Sequence, residues 1–139
     1  MKLGSTMKVM KIKSVVEDER GKIVDILVNE AIDHVNLISF KKGAVRGNHY
    51  HKKSAHYNFV LSGTLKFLTK VPREKIKTRI VASEELVFIS PMERHTLIAL
   101  EDSEILVFTR GPRGGKNYEK DTYRLNPDES LIQEKHQRK

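Results

Sequence analysis

The sequence lacks cysteine entirely, in a chain of 139 residues. This absence excludes disulfide bonds, thiolate metal sites such as zinc ribbons and iron–sulfur clusters, and a cysteine nucleophile. The sequence also lacks an apolar run close to the roughly 18 residues that a transmembrane helix needs. Residues Met1–Met10 lack the apolar core of a signal peptide. We therefore expect a cytoplasmic protein with no membrane partner.

Charge of both signs is plentiful, with 26 Lys and Arg against 18 Asp and Glu and a net charge of +8. The basic residues are spread along the chain and mixed with acids. The sequence has no arginine-rich arm, no RNP-type aromatic motif and no zinc-finger spacing, so we expect no nucleic-acid partner. Two interpretations of the charge remain open: a solvated Lys/Glu surface, and a site for an anionic small molecule.

Apolar residues recur mostly at every second position, which is the period of a β-strand. Runs rich in Val, Ile, Phe, Leu and Thr predict nine strands: Val9–Val16, Lys22–Val28, Val35–Phe40, His56–Leu61, Thr64–Lys70, Ile76–Val81, Leu86–Ser90, Thr96–Leu100 and Glu104–Thr109. Tight hairpin turns are predicted at Glu17–Gly21, Ser62–Gly63 and Glu101–Ser103. Two polar stretches, Lys41–Ser54 and Gly111–Asp121, interrupt the pattern. Nine strands without alternating helical segments predict an all-β sandwich or barrel.

The length of the chain suits a single domain. We predict the barrel over residues 7–112 and a C-terminal extension over residues 113–139. Within the extension, the sequence predicts a short helix at 128–137 with Asp128 as its cap; a frayed tail is the alternative. Residues 1–6 precede a second methionine and contain a Gly-Ser-Thr stretch, so we interpret them as a cloning remnant or a start-site artefact.

A histidine pattern follows the third predicted strand. The segment Gly43–Gly63 has the spacing G-x5-H-x-H-x4-H-x6-G. It resembles the first motif of the cupin superfamily, G-x5-H-x-H-x3–4-E-x6-G, with His56 in place of the glutamate. The segment Pro91–His95 resembles the second cupin motif, although it lacks the usual glycine and is one residue shorter. The resemblance implies an all-β fold of the cupin type, a double-stranded β-helix or jelly-roll barrel with a short C-terminal extension.

The histidines predict a metal site. His49 and His51 are two residues apart, so on a strand both imidazoles face one cavity. The resemblance implies that His56 and His95 join them around one divalent metal. Four imidazoles suit zinc, iron, nickel, manganese or copper rather than magnesium or calcium. We therefore predict a metal-binding cupin acting on a small anionic molecule as an isomerase, oxygenase or lyase. A closed tetrahedral site would instead indicate a non-catalytic metal- or sugar-binding module.

Shorter segments resemble one branch of the superfamily. Arg46–Lys53 reads RGNHYHKK and is similar to the segment R-G-x-H-x-H-K-K of sugar-nucleotide 3,4-ketoisomerases and of cupin domains in capsular-polysaccharide enzymes. Ile89–Thr96 is similar to their I-P-P-x-x-x-H-T stretch, and Asp121–Tyr123 to the D-T-Y ending of some members. These resemblances imply an alternative function, a metal-free ketoisomerase or epimerase of nucleotide-linked sugars in polysaccharide synthesis.

That alternative assigns different roles to the same residues. In the ketoisomerases the H-x-H histidines are thought to move protons beside a keto group without a metal. The resemblance then implies that His49 and His51 are the acid/base pair and that Arg46 contacts the substrate. Asn58 is a second candidate substrate contact, because it shares the strand parity of His56. A histidine at position 56 retains the capacity to bind a metal, which favours the metal cupin over the ketoisomerase.

The resemblance also implies an assembly. Cupins of this size commonly form dimers by pairing or exchanging their N-terminal strands. Residues Met7–Val16 alternate apolar and polar side chains, as such a strand would. We therefore expect a homodimer.

Overall fold

The computed structural model describes residues 7–111 and 120–132, so the predicted remnant at residues 1–6 lies outside it. The described residues form strands and one short 3-10 helix, Pro127–Glu129. The strands are β1 Lys8–Lys11, β2 Ser14–Asp18, β3 Gly21–Val24, β4 His34–Phe40, β5 Val45–Tyr50, β6 Ala55–Ser62, β7 Thr64–Lys70, β8 Lys77–Ala82, β9 Glu85–Ile89, β10 Arg94–Ala99, β11 Ser103–Arg110 and β12 Tyr123–Arg124. Within these ranges no helix is long or apolar enough to cross a membrane.

Two five-stranded antiparallel sheets form the barrel. The first sheet has the strand order β1-β9-β6-β11-β4, and the second has the order β12-β5-β10-β7-β8. Strands β2 and β3 pair separately as a hairpin, which confirms the predicted turn at Glu17–Gly21. From β4 to β11 the chain repeatedly crosses from one sheet to the other. This arrangement confirms the predicted all-β jelly roll.

The apolar core lies between the sheets at one end of the barrel. Its members alternate along their strands, so that every second side chain points inward. Among its most deeply buried members are Val60, Leu65, Phe67, Val81 and Ile105, each at most 1% exposed. Full burial of one such side chain stabilises the fold by about 1.5–3 kcal/mol. The core therefore holds together the end of the barrel where β6 leads into β7 and β10 leads into β11.

Two predicted hairpins are wrong. Ser62–Gly63 joins β6 to β7, but β6 pairs with β9 and β11 whereas β7 pairs with β8 and β10. Glu101–Ser103 joins β10 to β11, which also lie in different sheets. Two apolar strands joined by a tight turn give the same pattern whether they pair or face each other across a core. Gly63 has a φ of +89°, and a Cβ there would lie 2.1 Å from the Ser103 Oγ, so the two corners contact each other and require glycine.

Some predicted strand boundaries are also wrong. The run Val9–Val16 is divided between β1 and β2, and the run Lys22–Val28 ends as a strand at Val24. The polar stretch Lys41–Ser54, predicted as an interruption, contains β5. Within it Gly47 and Asn48 have φ values of 94° and 61°, and the pairing of β5 with β10 shifts register nearby. Because of this irregularity and the polar composition, β5 does not show the alternation of apolar and polar residues by which a strand is predicted.

The described part of the C-terminal extension joins the barrel. β12 pairs with β5 at the edge of the second sheet. The helix predicted over 128–137 is wrong within the described residues, where a single 3-10 turn at Pro127–Glu129 is capped by Asn126 rather than Asp128. Asn126 is the cap because its side chain accepts a hydrogen bond from the Glu129 N–H. Residues 133–137 of that prediction lie outside the described residues.

The N-terminal strand pairs within the chain. β1 lies beside β9 with Val9 opposite Val87, at the edge of the first sheet. The predicted homodimer through residues Met7–Val16 stays a prediction.

Candidate functional site

A cavity of about 590 Å³ lies between the two sheets next to the apolar core, and the core residues Phe40, Leu97, Ile105 and Val107 line it as well. This volume is in the range of small-molecule sites. Five strands, β4, β5, β6, β10 and β12, contribute polar side chains to it. These are Asn36, Ser39, Arg46, His49, His56, Asn58, His95 and Arg124. Imidazole and guanidinium groups thus share one concave surface.

The structure brings the four predicted histidines together. His49 lies opposite His95 in the pairing of β5 with β10, and their ring centroids are 4.7 Å apart. The His51 ring lies 4.8 Å from that of His49 and 5.1 Å from that of His95. The His56 ring, from the first sheet, lies 4.4 Å from that of His51 and 5.9 Å from that of His95. The cluster therefore spans both sheets.

The four rings differ in their access to the cavity. His49, His56 and His95 line it, whereas His51 lies outside its lining and is 2% exposed. The H-x-H spacing could not reveal this, because His51 follows the last residue of β5 and is no longer on the strand. Of the predicted acid/base pair, His49 faces the cavity and His51 lies behind it.

Backbone carbonyl oxygens lie within hydrogen-bond distance of the Nδ1 atoms of two rings. The Nδ1 of His51 is 2.8 Å from the Asp121 carbonyl oxygen, and the Nδ1 of His95 is 3.1 Å from the Glu93 carbonyl oxygen. A carbonyl oxygen only accepts, so a hydrogen bond at either distance is made by the form of the ring that carries a proton on Nδ1. When the ring is neutral, its lone pair is then on Nε2. Both histidines therefore present Nε2 as a proton acceptor or as a metal ligand.

The carboxylate of Asp121 holds the backbone that follows His51. Its oxygens accept hydrogen bonds from the backbone N–H groups of Lys52 at 3.0 Å, Lys53 at 2.9 Å and Ser54 at 2.8 Å. Burial alone would raise the pKa of the Asp121 carboxyl, but these donors hold the pKa below its usual value. Asp121 thus fixes the chain around His51 through both its carbonyl and its side chain, a role that sequence reasoning missed.

A second buried carboxyl lies before His95. Glu93 is 0% exposed, and its carboxyl accepts hydrogen bonds from the backbone N–H groups of Ser90 at 3.1 Å and Met7 at 2.7 Å. Burial raises the pKa of the Glu93 carboxyl above its usual value. These bonds tie the turn before His95 to the N-terminus of β1. They explain why a glutamate can stand in the second motif without facing the cavity.

The two predicted substrate contacts both line the cavity. Arg46 is exposed; its guanidinium donates to the Ser39 carbonyl at 3.1 Å and lies 5.3 Å from the centre of the Phe40 ring. Asn58 is buried, and its amide nitrogen donates to the Val87 carbonyl at 3.1 Å. Because both arginine and asparagine side chains reach the lining, the cavity can bind an anionic group and a polar group together.

Arg124 is a cavity residue that sequence reasoning missed. It lies in the two-residue strand β12, where it pairs with His49. The one signal in the sequence was its position directly after the Asp121–Tyr123 resemblance, which carried no role for it.

The ligand set predicted for a metal fits in part. His49, His51 and His95 each offer one ring nitrogen, and these nitrogens lie within 4.8 Å of one another. Three imidazoles are a donor set that a divalent transition metal accepts. His56 contacts His51 but is not part of this close set. The four-histidine metal site stays a prediction.

Comparison with protein families gives one match. A family model described as the polysaccharide biosynthesis C-terminal domain matches residues 16–123. This range includes both histidine motifs as well as Asp121. Comparison with curated protein sequences gives no match.

Solved structures share the fold over most of the chain. A double mutant of a 3,4-ketoisomerase from Thermoanaerobacterium thermosaccharolyticum, in complex with TDP, is 25% identical; the match covers 87% of this chain and 88% of that one, with a TM-score of 0.72. A single mutant of the same enzyme, in complex with TDP-4-keto-6-deoxyglucose, is 23% identical. The match covers 87% of this chain and 88% of that one, with a TM-score of 0.72. A dTDP-4-dehydrorhamnose 3,5-epimerase from Sulfolobus tokodaii is 19% identical. The match covers 99% of this chain and 90% of that one, with a TM-score of 0.72.

Proposed function

Because this chain belongs to the polysaccharide biosynthesis C-terminal domain family, we propose that it is an isomerase of nucleotide-linked ketosugars. The observation that carries the proposal is the cavity itself, in which three imidazoles and two guanidinium groups share one surface. The similarity to ketoisomerases and epimerases supports this alternative better than the metal-dependent enzyme favoured by the sequence.

The chemistry needs a group that both takes and returns a proton. A base removes the proton from the carbon that bears a hydroxyl beside the keto group, the carbonyl oxygen takes a proton, and an enediol forms. Return of a proton to the former carbonyl carbon, with loss of the hydroxyl proton from the other carbon, moves the keto group and gives an isomer. Imidazole suits both steps because its ordinary pKa lies near neutral pH. His49, which lines the cavity, is the first member of the acid/base pair, and His51 behind it is the second.

The arginines suit the nucleotide part of the substrate. Arg46 and Arg124 both line the cavity, and guanidinium groups bind phosphate oxygens in pairs of charge-assisted hydrogen bonds. The net charge of +8 also attracts a pyrophosphate-bearing ligand. The TDP complex of the Thermoanaerobacterium enzyme supports a TDP-linked sugar as the first substrate to test.

The decisive experiment is an assay of product identity. The chelator-treated protein is incubated with TDP-4-keto-6-deoxyglucose, and NMR follows the sugar ring. We expect the 3-keto isomer, strongly reduced turnover with His49→Asn, and little change with the control His34→Asn, which replaces a histidine outside the cavity lining. Inversion at a ring carbon without movement of the keto group would assign the epimerase reaction instead. Unchanged substrate together with no binding of TDP would contradict the proposal.

A divalent metal is the second candidate, supported by the close nitrogens of His49, His51 and His95. When bound there, it would supply a Lewis acid beside the cavity. Elemental analysis of protein purified without a metal column tests it. A stoichiometric metal whose removal abolishes turnover would favour the metal-dependent enzyme; turnover in metal-free protein would favour the isomerase.

A further inference from the structure

The segment Asp121–Arg124 contacts the histidine cluster, and its last residue, Arg124, also lines the cavity. It pairs with the end of β5, with Tyr123 opposite Tyr50 and Arg124 opposite His49. The segment therefore runs beside the H-x-H motif although it lies about seventy residues further along the chain.

Two separate sets of contacts hold this segment in place. The first is the carboxylate of Asp121, with its three backbone donors after His51. The second is a stack of four side chains. The Lys52 Nζ lies 4.4 Å from the centre of the Tyr123 ring, the Tyr123 and Tyr50 rings stack at 5.4 Å and 25°, and the Arg94 guanidinium lies 3.9 Å from the Tyr50 ring. Such cation–π and stacked pairs are favourable and depend on geometry.

One atom of the segment, the Asp121 carbonyl oxygen, contacts a ring of the cluster. With the segment anchored on both sides, the Asp121 carbonyl is 2.8 Å from the His51 Nδ1. The same anchoring places Arg124 in the lining of the cavity. One short segment thus contacts the Nδ1 of His51 and contributes a guanidinium group to the cavity.

We propose that Asp121–Arg124 is a positioning element, with Asp121 as the positioning residue that holds His51 with its proton on Nδ1 and its lone pair on Nε2. The participation of His51 in proton transfer rests on the proposed function. The tautomer of His51 does not depend on that function. Loss of the anchoring leaves the ring free to exchange tautomers, and a ring in the wrong tautomer presents a proton where a base is required. The turnover rate therefore falls more than substrate affinity does.

The first experiment reads the tautomer without substrate. Long-range ¹H–¹⁵N correlation spectra are recorded on the chelator-treated, histidine-labelled protein at pH 8.5, where an ordinary imidazole is neutral. The signals that disappear in His51→Gln identify His51. We expect a proton on Nδ1 and none on Nε2. A His51 ring with its proton on Nε2 would overturn the inference even if the protein proves to be an isomerase, and the expected tautomer would stand even if it does not.

The second experiment compares matched variants. Asp121→Asn places amide hydrogens against the backbone donors, so we expect mixed tautomers at His51 and a fall in kcat of about tenfold or more, with a smaller change in KM. Asp128→Asn makes the same chemical change at an exposed acid of the C-terminal segment and should change neither. Unchanged tautomer and kcat in Asp121→Asn would overturn the inference.

A third variant pair covers the case in which Asp121→Asn does not fold. Tyr123 is 37% exposed, so its replacement spares the core. Tyr123→Ala removes the ring from the stack and should shift the His51 tautomer in the same direction as Asp121→Asn, whereas Tyr123→Phe keeps the stack and should resemble the wild type. Identical spectra and identical kcat for Tyr123→Ala and the wild type would contradict the proposal.

Discussion

The two ends of the barrel interior use the same strands but opposite kinds of side chain. Along β6 the inward positions are His56, Asn58 and Val60, and along β10 they are His95, Leu97 and Ala99, of which Leu97 both lines the cavity and belongs to the core. One end of each strand is polar and lines the cavity; the other end is apolar and packs. Successive inward positions of one strand therefore serve different purposes, some lining the cavity and others stabilising the core.

The two ends also need different support. A buried polar group costs free energy unless it is hydrogen-bonded, and at the polar end the carbonyls of Asp121 and Glu93 meet that need for His51 and His95. At the apolar end close packing is sufficient, because those side chains have no polar atoms. Substitutions at the two ends should therefore have separable effects on activity and on the free energy of unfolding.

The largest expected effect is on stability at the apolar end. Phe67 is 0% exposed, and Phe67→Ala should lower the free energy of unfolding by about 3–5 kcal/mol, because it leaves a cavity in the core. Urea unfolding measures this. The control Phe108→Ala removes a half-buried ring from β11 and should cost less. If Phe67→Ala lowered the free energy of unfolding by no more than Phe108→Ala, the apolar end would not be the main source of stability.

The next effect is on activity at the polar end. His49→Asn should lower the turnover of a TDP-linked ketosugar by about 10²–10⁴-fold, the usual contribution of an acid/base group. The free energy of unfolding should stay close to that of the wild type. Coupled measurement of turnover and urea unfolding tests both statements. Loss of activity only in proportion to loss of folded protein would show that the two ends are not separable.

Replacement of Asp121 should lower the free energy of unfolding by an amount that depends on pH. Asp121→Asn removes a carboxylate with three backbone donors, so it should destabilise the protein by about 1–3 kcal/mol at neutral pH. Because the pKa of Asp121 is lowered in the folded state, its carboxylate stabilises the fold above the ordinary carboxyl pKa. That contribution is lost as the pH falls through the folded value. The stability difference from the wild type should thus narrow below about pH 4 in urea unfolding; a constant difference would refute the assignment.

The smallest expected effect is on ligand affinity at the mouth of the cavity. Arg46→Gln should weaken TDP binding about tenfold, which corresponds to about 1.4 kcal/mol, and should make binding less sensitive to salt. Calorimetry at two salt concentrations measures both. Arg79→Gln, at an exposed arginine of β8 outside the cavity lining, is the control and should leave TDP affinity nearly unchanged. Equal effects of the two substitutions would indicate general charge attraction only.

The resemblance to the two motifs predicted that four histidines meet, and their rings do form one cluster. Strand periodicity accounts for the direction of His49, whereas His51 follows the end of β5 and lies outside the cavity lining. The strand order was less predictable. The turn at Ser62–Gly63 has the same pattern as a hairpin, although it crosses between sheets.

Contacts between distant parts of the chain were beyond sequence reasoning. Asp121 meets His51 across 70 residues, and Arg124 reaches the cavity through a two-residue strand that has no period to detect. The position of His51 behind the cavity lining was equally inaccessible, because it depends on the end of β5 at Tyr50. The fold class, the cluster and the contacts of Arg46 and Asn58 with the cavity were therefore accessible from the sequence, whereas the anchoring of the cluster was not.

The most direct test of the central claim is hydrogen exchange in the substrate. The chelator-treated protein is mixed with TDP-4-keto-6-deoxyglucose in D₂O, and NMR follows the hydrogens on carbons 3 and 5, which flank the keto group. We expect the wild-type protein to exchange the hydrogen on carbon 3 for deuterium and His49→Asn to do so far more slowly. Absence of exchange until a divalent metal is added would contradict this expectation.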